Sequence, residues 1–179
     1  MVSRNEFPAY FEKRTLQFVT GLRHPISASG MLMHAHPSFE VVYHFSHGQV
    51  RLRDDTSFDF RNGAVLIYPP ETPHLEVSAL PAEDACILFR ALEPFPKILR
   101  KPLHIQPPLE TPIREELLSL TRKTPDLSAA SQLALDHRVT ALVIQLLQLA
   151  QIKQDLAGQS SNQRIVDMAK NYIQANFDK

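Results

Sequence analysis

A chain of 179 residues suffices for one well-packed domain with an appendage and is too short for two large ones. Hydrophobic residues at 44% and charged residues at 21% sit near globular averages, which argues for an ordered chain. The 19 Lys and Arg balance the 19 Asp and Glu, so the chain lacks the basic excess with which a nucleic-acid-binding domain grips phosphates.

Cys86 is the only cysteine, which rules out an internal disulfide and fits a reducing compartment. Residues 1 to 6 have no apolar core of signal-peptide type, and no run reaches the roughly 18 apolar residues of a membrane span. A cytoplasmic protein without membrane contacts is expected.

Residues 1–14 mix charge with Phe7, Tyr10 and Phe11 around Pro8, which suits an arm. Those aromatics can cap a pocket or patch the outside of the core. Thr15 to Thr20 reads as a first strand, ended by Gly21 and by His24-Pro25. From Gly30 onward come short β-branched and aromatic runs punctuated by turn signals, the pattern of an antiparallel all-β domain. The expected strands are Met31 to Ala35, Phe39 to Ser46, Gln49 to Arg53, Thr56 to Phe60, Ala64 to Tyr68, Leu75 to Ser78 and Ala85 to Ala91. Asp54-Asp55 and Arg61-Asn62-Gly63 supply reversals. Such short strands over residues 15–92 suggest a sandwich or barrel rather than a βαβ sheet.

Residues 93–112 are rich in proline and read as an extended connector. The apolar period then changes to about 3.6 over residues 113–157. Thr111 caps a first helix with Pro112 at its first position, and Ile113, Leu117, Leu118 and Leu120 form its apolar face. A longer helix runs from about Ser128 to Leu156, with Leu135, Val139, Leu142, Leu146 and Leu149 as a seam. That seam either meets a second subunit or packs within one chain. In residues 158–179, a linker precedes an amphipathic helix with Ile165, Met168, Ala169 and Tyr172 on one face. A single helix beyond a linker reads as the first piece of a further, missing domain.

Candidate chemistry concentrates between Gly30 and His74. His34 and His36 lie two apart and so share one side of a strand, and Glu40 has the same parity across the Pro37-Ser38 bend. His74 completes a four-ligand set if its strand lies beside the first. Nitrogen and oxygen donors without thiolate suit a divalent Fe, Mn, Ni, Co or Zn ion. The plain alternative is that these side chains hydrogen-bond one another or line a polar pocket. His44 shares the parity and can face the same pocket, whereas His47 beside Gly48 reads as a turn residue. His24, His104 and His137 carry no expected role.

These segments resemble the paired motifs of cupins, G-x5-H-x-H-x3-E-x6-G and G-x5-P-x-G-x2-H-x3-N. His34, His36 and Glu40 fall on the ligand positions of the first, and Gly63, Pro69 and His74 match the second. Ala28 replaces the opening glycine, His47 stands at the closing one with Gly48 next, Glu71 replaces the middle glycine of the second motif and Ser78 its final asparagine. With the connector, the helix pair, the linker and the pattern Ile165 to Phe177, the chain also resembles the N-terminal portion of an AraC-type transcription regulator.

The resemblance implies a cupin-type antiparallel double-sheet barrel followed by an amphipathic helix pair, mainly β with C-terminal α. It also implies an effector-binding barrel, a homodimer through the C-terminal helices, and DNA contacts only through a helix-turn-helix domain of which residues 158–179 hold the start. Phe18, His44, Phe7 and Tyr10 are the expected effector-pocket residues. Many effector barrels of such regulators have lost the cupin ligands, whereas this chain keeps the full set. A sensing domain using a divalent metal to orient an effector, rather than an enzyme, is therefore expected. The rivals are a metal-dependent cupin enzyme, an oxygenase or isomerase, and a structural dimerisation module with a filled barrel.

Overall fold

The computed structural model describes residues 16–26, 32–78, 82–91, 99–106, 112–122 and 128–157. Eight strands precede two helices among these: β1 Gln17–Ile26, β2 Phe39–His44, β3 Gly48–Leu52, β4 Ser57–Phe60, β5 Val65–Tyr68, β6 His74–Ser78, β7 Ala82–Arg90, β8 Leu103–Ile105, α1 Pro112–Leu120 and α2 Ala129–Ala157. The strands form a five-stranded sheet of order β1-β7-β2-β5-β8 and a three-stranded sheet of order β4-β3-β6. Every pairing is antiparallel. The expected architecture of two antiparallel sheets with C-terminal helices is thus what the chain adopts.

The larger sheet is buried on both faces. All six residues of β2 and all four of β5 are buried, which is why Phe-Glu-Val-Val-Tyr-His and Val-Leu-Ile-Tyr show no clean alternation. On the outer face Val41, Val65, Ile67 and Ile87 pack against Ile113 and Leu117 of α1 and against Val139, Val143 and Leu146 of α2. On the inner face Val42, Leu66, Tyr68 and Cys86 meet Val50 and Phe60 of the smaller sheet.

Leu135, Val139, Leu142 and Leu146 are 9%, 0%, 1% and 0% exposed, and Leu149 is partly buried. Of the two roles left open for the seam, it takes the one within the chain and fills its own core, because the apolar outer face of the sheet needs a cover. By length and composition, Ala129–Ala150 is apolar enough to cross a membrane, but its apolar stripe is spent on that cover.

Side chains of α2 also complete the edge strand β1. Thr140 Oγ1 accepts from Leu16 N and Asp136 Oδ1 from Phe18 N, both at 2.8 Å, while Gln132 Nε2 donates to Phe18 O at 2.9 Å. Backbone groups that a sheet edge would leave unpaired are satisfied by the helix. Ser128 Oγ caps α2 by accepting from Ser131 N at 3.2 Å. Arg138 ties α2 to Glu116 of α1 at 2.8 Å.

Three expectations are corrected. β1 does not stop at Gly21 or His24-Pro25 but runs through both to Ile26; an edge strand tolerates a proline, whose missing donor an edge leaves unpaired anyway. The segment expected as a strand at 31–35 pairs, within the described residues, only as a bridge between His34 and His74, since the Pro37-Ser38 bend ends the run. The proline-rich connector contains β8, which pairs with β5 and buries Ile105. The Thr111 cap, the arm and residues 158–179 lie outside the described residues.

Gly21 marks the contact between β1 and the end of α1. A Cβ there would lie 2.0 Å from Leu120 O and 2.8 Å from its carbonyl carbon. Gly21→Ala should lower stability by about 3 kcal/mol in chemical denaturation, because backbone must move on both sides. An unchanged midpoint would mean that α1 does not sit against β1.

Candidate metal centre

Two chain segments come side by side through reciprocal backbone bonds, His34 N to His74 O at 3.0 Å and His74 N to His34 O at 2.9 Å. The Pro37-Ser38 bend then turns the chain into β2, placing Glu40 under the histidines. Glu71 N donates to His36 O at 2.7 Å and closes the loop from the other side. Glu71, at the motif's middle glycine, adopts φ 57°, so the left-handed turn survives without its glycine.

One donor atom from each of His34, His36, Glu40 and His74 lies within 4.8 Å of all the others. The Nε2 atoms of His36 and His74 approach Glu40 Oε2 to 3.3 and 3.2 Å. Neither approach has hydrogen-bond alignment, and this buried oxygen is left without a hydrogen-bond partner. The Nδ1 atoms of His34 and His74 lie 3.0 and 2.9 Å from the carbonyls of Leu32 and Thr72. A carbonyl only accepts, so each Nδ1 carries the proton and each Nε2 turns a lone pair into the cluster. Lone pairs and an orphaned carboxylate oxygen converging on one point fit a cation better than they fit one another.

At His34 the electrostatics agree with a cation site, while at His74 they favour a proton that a metal would have to displace. His34 is pulled below its ordinary pKa mainly by burial, which outweighs the Leu32 carbonyl, with His74 and His36 adding to the fall. It is thus neutral and ready to ligate at neutral pH. For His74 burial again acts downward, but the Glu40 carboxylate and the Thr72 carbonyl outweigh it and hold its pKa up. Three imidazoles and a carboxylate suit divalent Fe, Mn, Ni, Co or Zn. Cys86 lies close by, but burial first and the neighbouring carboxylates second push its thiol well up, keeping it protonated.

The four side chains border a cavity of about 130 Å³ whose remaining wall is Leu22, His24, Glu76, Cys86 and Leu88. Two expected pocket residues lie elsewhere. A register shift between Phe18 and Thr20 inserts a bulge in β1; it leaves Phe18 in the core under α2 and turns Leu22 and His24 toward the cavity. His44 does point into the barrel, but deeper: its ring stacks on Phe60 at 3.7 Å and its Nδ1 lies 2.7 Å from Asp84 Oδ2. Phe7 and Tyr10 lie outside the described residues.

Glu76 and Asp84 were not anticipated. Glu76 is two residues from His74 and shares its face, a signal present in the sequence. Asp84 is opposite His44 in the β2–β7 register, which only the strand order reveals. Tyr68 stacks on His74 at 3.9 Å and donates its hydroxyl to Glu76 Oε1 at 3.1 Å. Burial chiefly, with Asp84 and Glu40 adding to it against His44 and His74, raises the Glu76 carboxyl to about 7.

No protein family matches the chain, and no curated protein is similar to it. Several solved structures are. A protein from Neisseria meningitidis is 16% identical over 48% of this chain and 93% of its own, with a TM-score of 0.36. A cupin protein from Bacteroides fragilis is 18% identical over 50% of this chain and 78% of its own, at 0.34. The DMSP lyase DddQ from Ruegeria pomeroyi is 17% identical over 50% of this chain and 42% of its own, at 0.31. The fold itself is established by the chain's own strand pairing.

Glu40→Gln should lower Co(II) or Zn(II) affinity at least about 100-fold in a dialysis or calorimetric titration, since even indirect supports of metal ligands are worth 10 to 100-fold. Wild-type affinity should fall as the pH drops through the imidazole range, His74 protonating first because its pKa is raised. Equal metal retention by Glu40→Gln would refute the centre.

In the chelator-treated chain Glu76 has a folded pKa above its unfolded one, so its contribution to stability is full below about pH 4.5 and is lost as pH rises through about 7. Glu76→Gln should therefore gain on the order of 2 kcal/mol over wild type at pH 8 and little at pH 4.5, measured by urea unfolding. The same difference at both pH values would contradict this assignment.

Proposed function

We propose that this chain is a small-molecule-sensing and dimerisation domain of a transcription regulator, of the AraC type that its sequence resembles. Its effector binds in the barrel on a divalent cation held by His34, His36, Glu40 and His74. What supports a sensor is the two-sided use of the strands around the cavity. β2 carries Glu40 inward while its neighbours Val41 and Tyr43 pack under the helices. β1 offers Leu22 and His24 to the cavity while its first residues are hydrogen-bonded to α2 through Asp136 and Thr140. A ligand that moves either strand is felt by α2.

The cation supplies a Lewis-acidic anchor for oxygen donors; the chain's residues orient the ligand and limit its size. At about 130 Å³ the cavity is comparable with an engineered pocket of about 150 Å³ that holds benzene, so the effector is small. A subunit contact in this proposal uses a surface other than the Leu135 to Leu149 stripe, and DNA binding belongs to a helix-turn-helix unit.

A metal-dependent enzyme, an oxygenase or isomerase, is the second reading. It is favoured by the placement of Glu76 and His24 on the cavity wall beside the centre, where each can hold or move a proton. Turnover lost in Glu76→Gln with metal retained would select it.

Asp136→Ala cuts the bond from Phe18 N to α2 and releases Gln132, which Asp136 also holds, without touching the cavity. Coupling free energies of about 1 to 3 kcal/mol are reciprocal, so Co(II) or effector affinity should change at least about fivefold in this variant. Affinity unchanged in a folded Asp136→Ala chain would remove the β1 path from barrel to α2 and count against the sensor.

A further inference from the structure

We infer that the effector is a short amino acid in chemical class, an oxygen-donor head joined to an ammonium group, and that Glu76 of β6 receives the ammonium; this class rests on the cation-held effector proposed above. The cavity wall carries two carboxylates, Glu40 and Glu76, and four imidazoles, with no Lys or Arg among its lining residues. Glu40 belongs to the cation, which leaves Glu76, only 4% exposed, as the second acid of the wall. Its Oε1 accepts from the Tyr68 hydroxyl at 3.1 Å, and its other oxygen makes no hydrogen bond among the described residues. A ring nitrogen of His44 comes within 4.8 Å of a Glu76 oxygen, but Asp84 already holds that ring at Nδ1, at 2.7 Å, and answers its charge.

A buried carboxylate without a cationic partner is costly, and an ammonium group on the ligand supplies that partner and favours the ionised form of Glu76. His24 of β1 adds a second acceptor to the same wall. Its Nδ1 lies 2.8 Å from Pro25 O and carries the proton, so the neutral ring keeps its lone pair at Nε2. Its place opposite Asp84 in the β1–β7 register puts it on the inner face of the sheet. Acceptors on the wall select a ligand that donates, and the carboxylate charge selects a cation among donors. Leu22 and Leu88 give the ligand an apolar surface for the short chain between its two ends. A cavity of about 130 Å³ takes about six non-hydrogen atoms, by comparison with the pocket that holds benzene, and 3-aminopropionate is of that size.

The test titrates the whole Co(II)-loaded chain at neutral pH with 3-aminopropionate, 3-hydroxypropionate and propionate, followed by calorimetry and by the Co(II) absorption spectrum. 3-Aminopropionate should bind at least about 10-fold more tightly than either of the others, the gain expected of one charged hydrogen bond. Glu76→Gln keeps the shape and removes the charge, so it should cut that preference to within about twofold while Co(II) stays bound. The wild-type comparison stands by itself if Glu76→Gln fails to fold. Equal binding of 3-hydroxypropionate or propionate would overturn the cationic end, and a preference undiminished in Glu76→Gln would overturn Glu76 as its partner. No binding of 3-aminopropionate by a chain that holds Co(II) would overturn the ligand class and leave the metal centre standing. A chain that holds no Co(II) would overturn the centre itself and the class with it.

Discussion

The buried outer face of the five-stranded sheet is the contact on which everything else rests. Among the described residues, twenty-two buried ones gather where that face meets α1 and α2, against seven in the cluster between the sheets. The hydrophobic stabilisation is thus concentrated outside the barrel. The barrel interior is correspondingly free to bury Glu40, His44, His74, Glu76 and Asp84, groups that a single central core would have no room to desolvate. Helix cover and polar interior are two aspects of one arrangement.

The geometry of the metal centre grows from backbone pairing more than from side-chain freedom. His34 and His74 exchange backbone hydrogen bonds, and each ring is pinned through Nδ1 to a carbonyl two residues earlier. Such rings have little left to reorganise when a ligand arrives. Glu40 is held by β2, whose next residue is fixed in the helix-facing core. Rigidity comes from elements far larger than the site.

Much of this was legible in the sequence. The parity of His34, His36 and Glu40 survives the Pro37 bend, and the spacing to His74 brings the second segment alongside. The switch to a helical period also locates both helices within a residue or two. What escaped has physical causes. The continuous burial of β2 and β5 hides alternation, so the double use of that sheet cannot be read from its residues. The Leu135 to Leu149 stripe looks the same whether it covers a sheet or a second helix. Asp84 finds His44 only through strand order, a long-range property with no local signal. Phe18 was misplaced because a bulge reverses parity midway along β1.

That bulge holds one residue more than the strand needs. Val19, 37% exposed, opposes no residue of its own in β7 and so is free to vary. Deleting it would leave Phe18 and Leu22 three apart in a regular strand, still on opposite faces, with Leu22 and His24 kept at the cavity. Among homologous chains this segment should accept many substitutions and the loss of one residue without disturbing either face of β1.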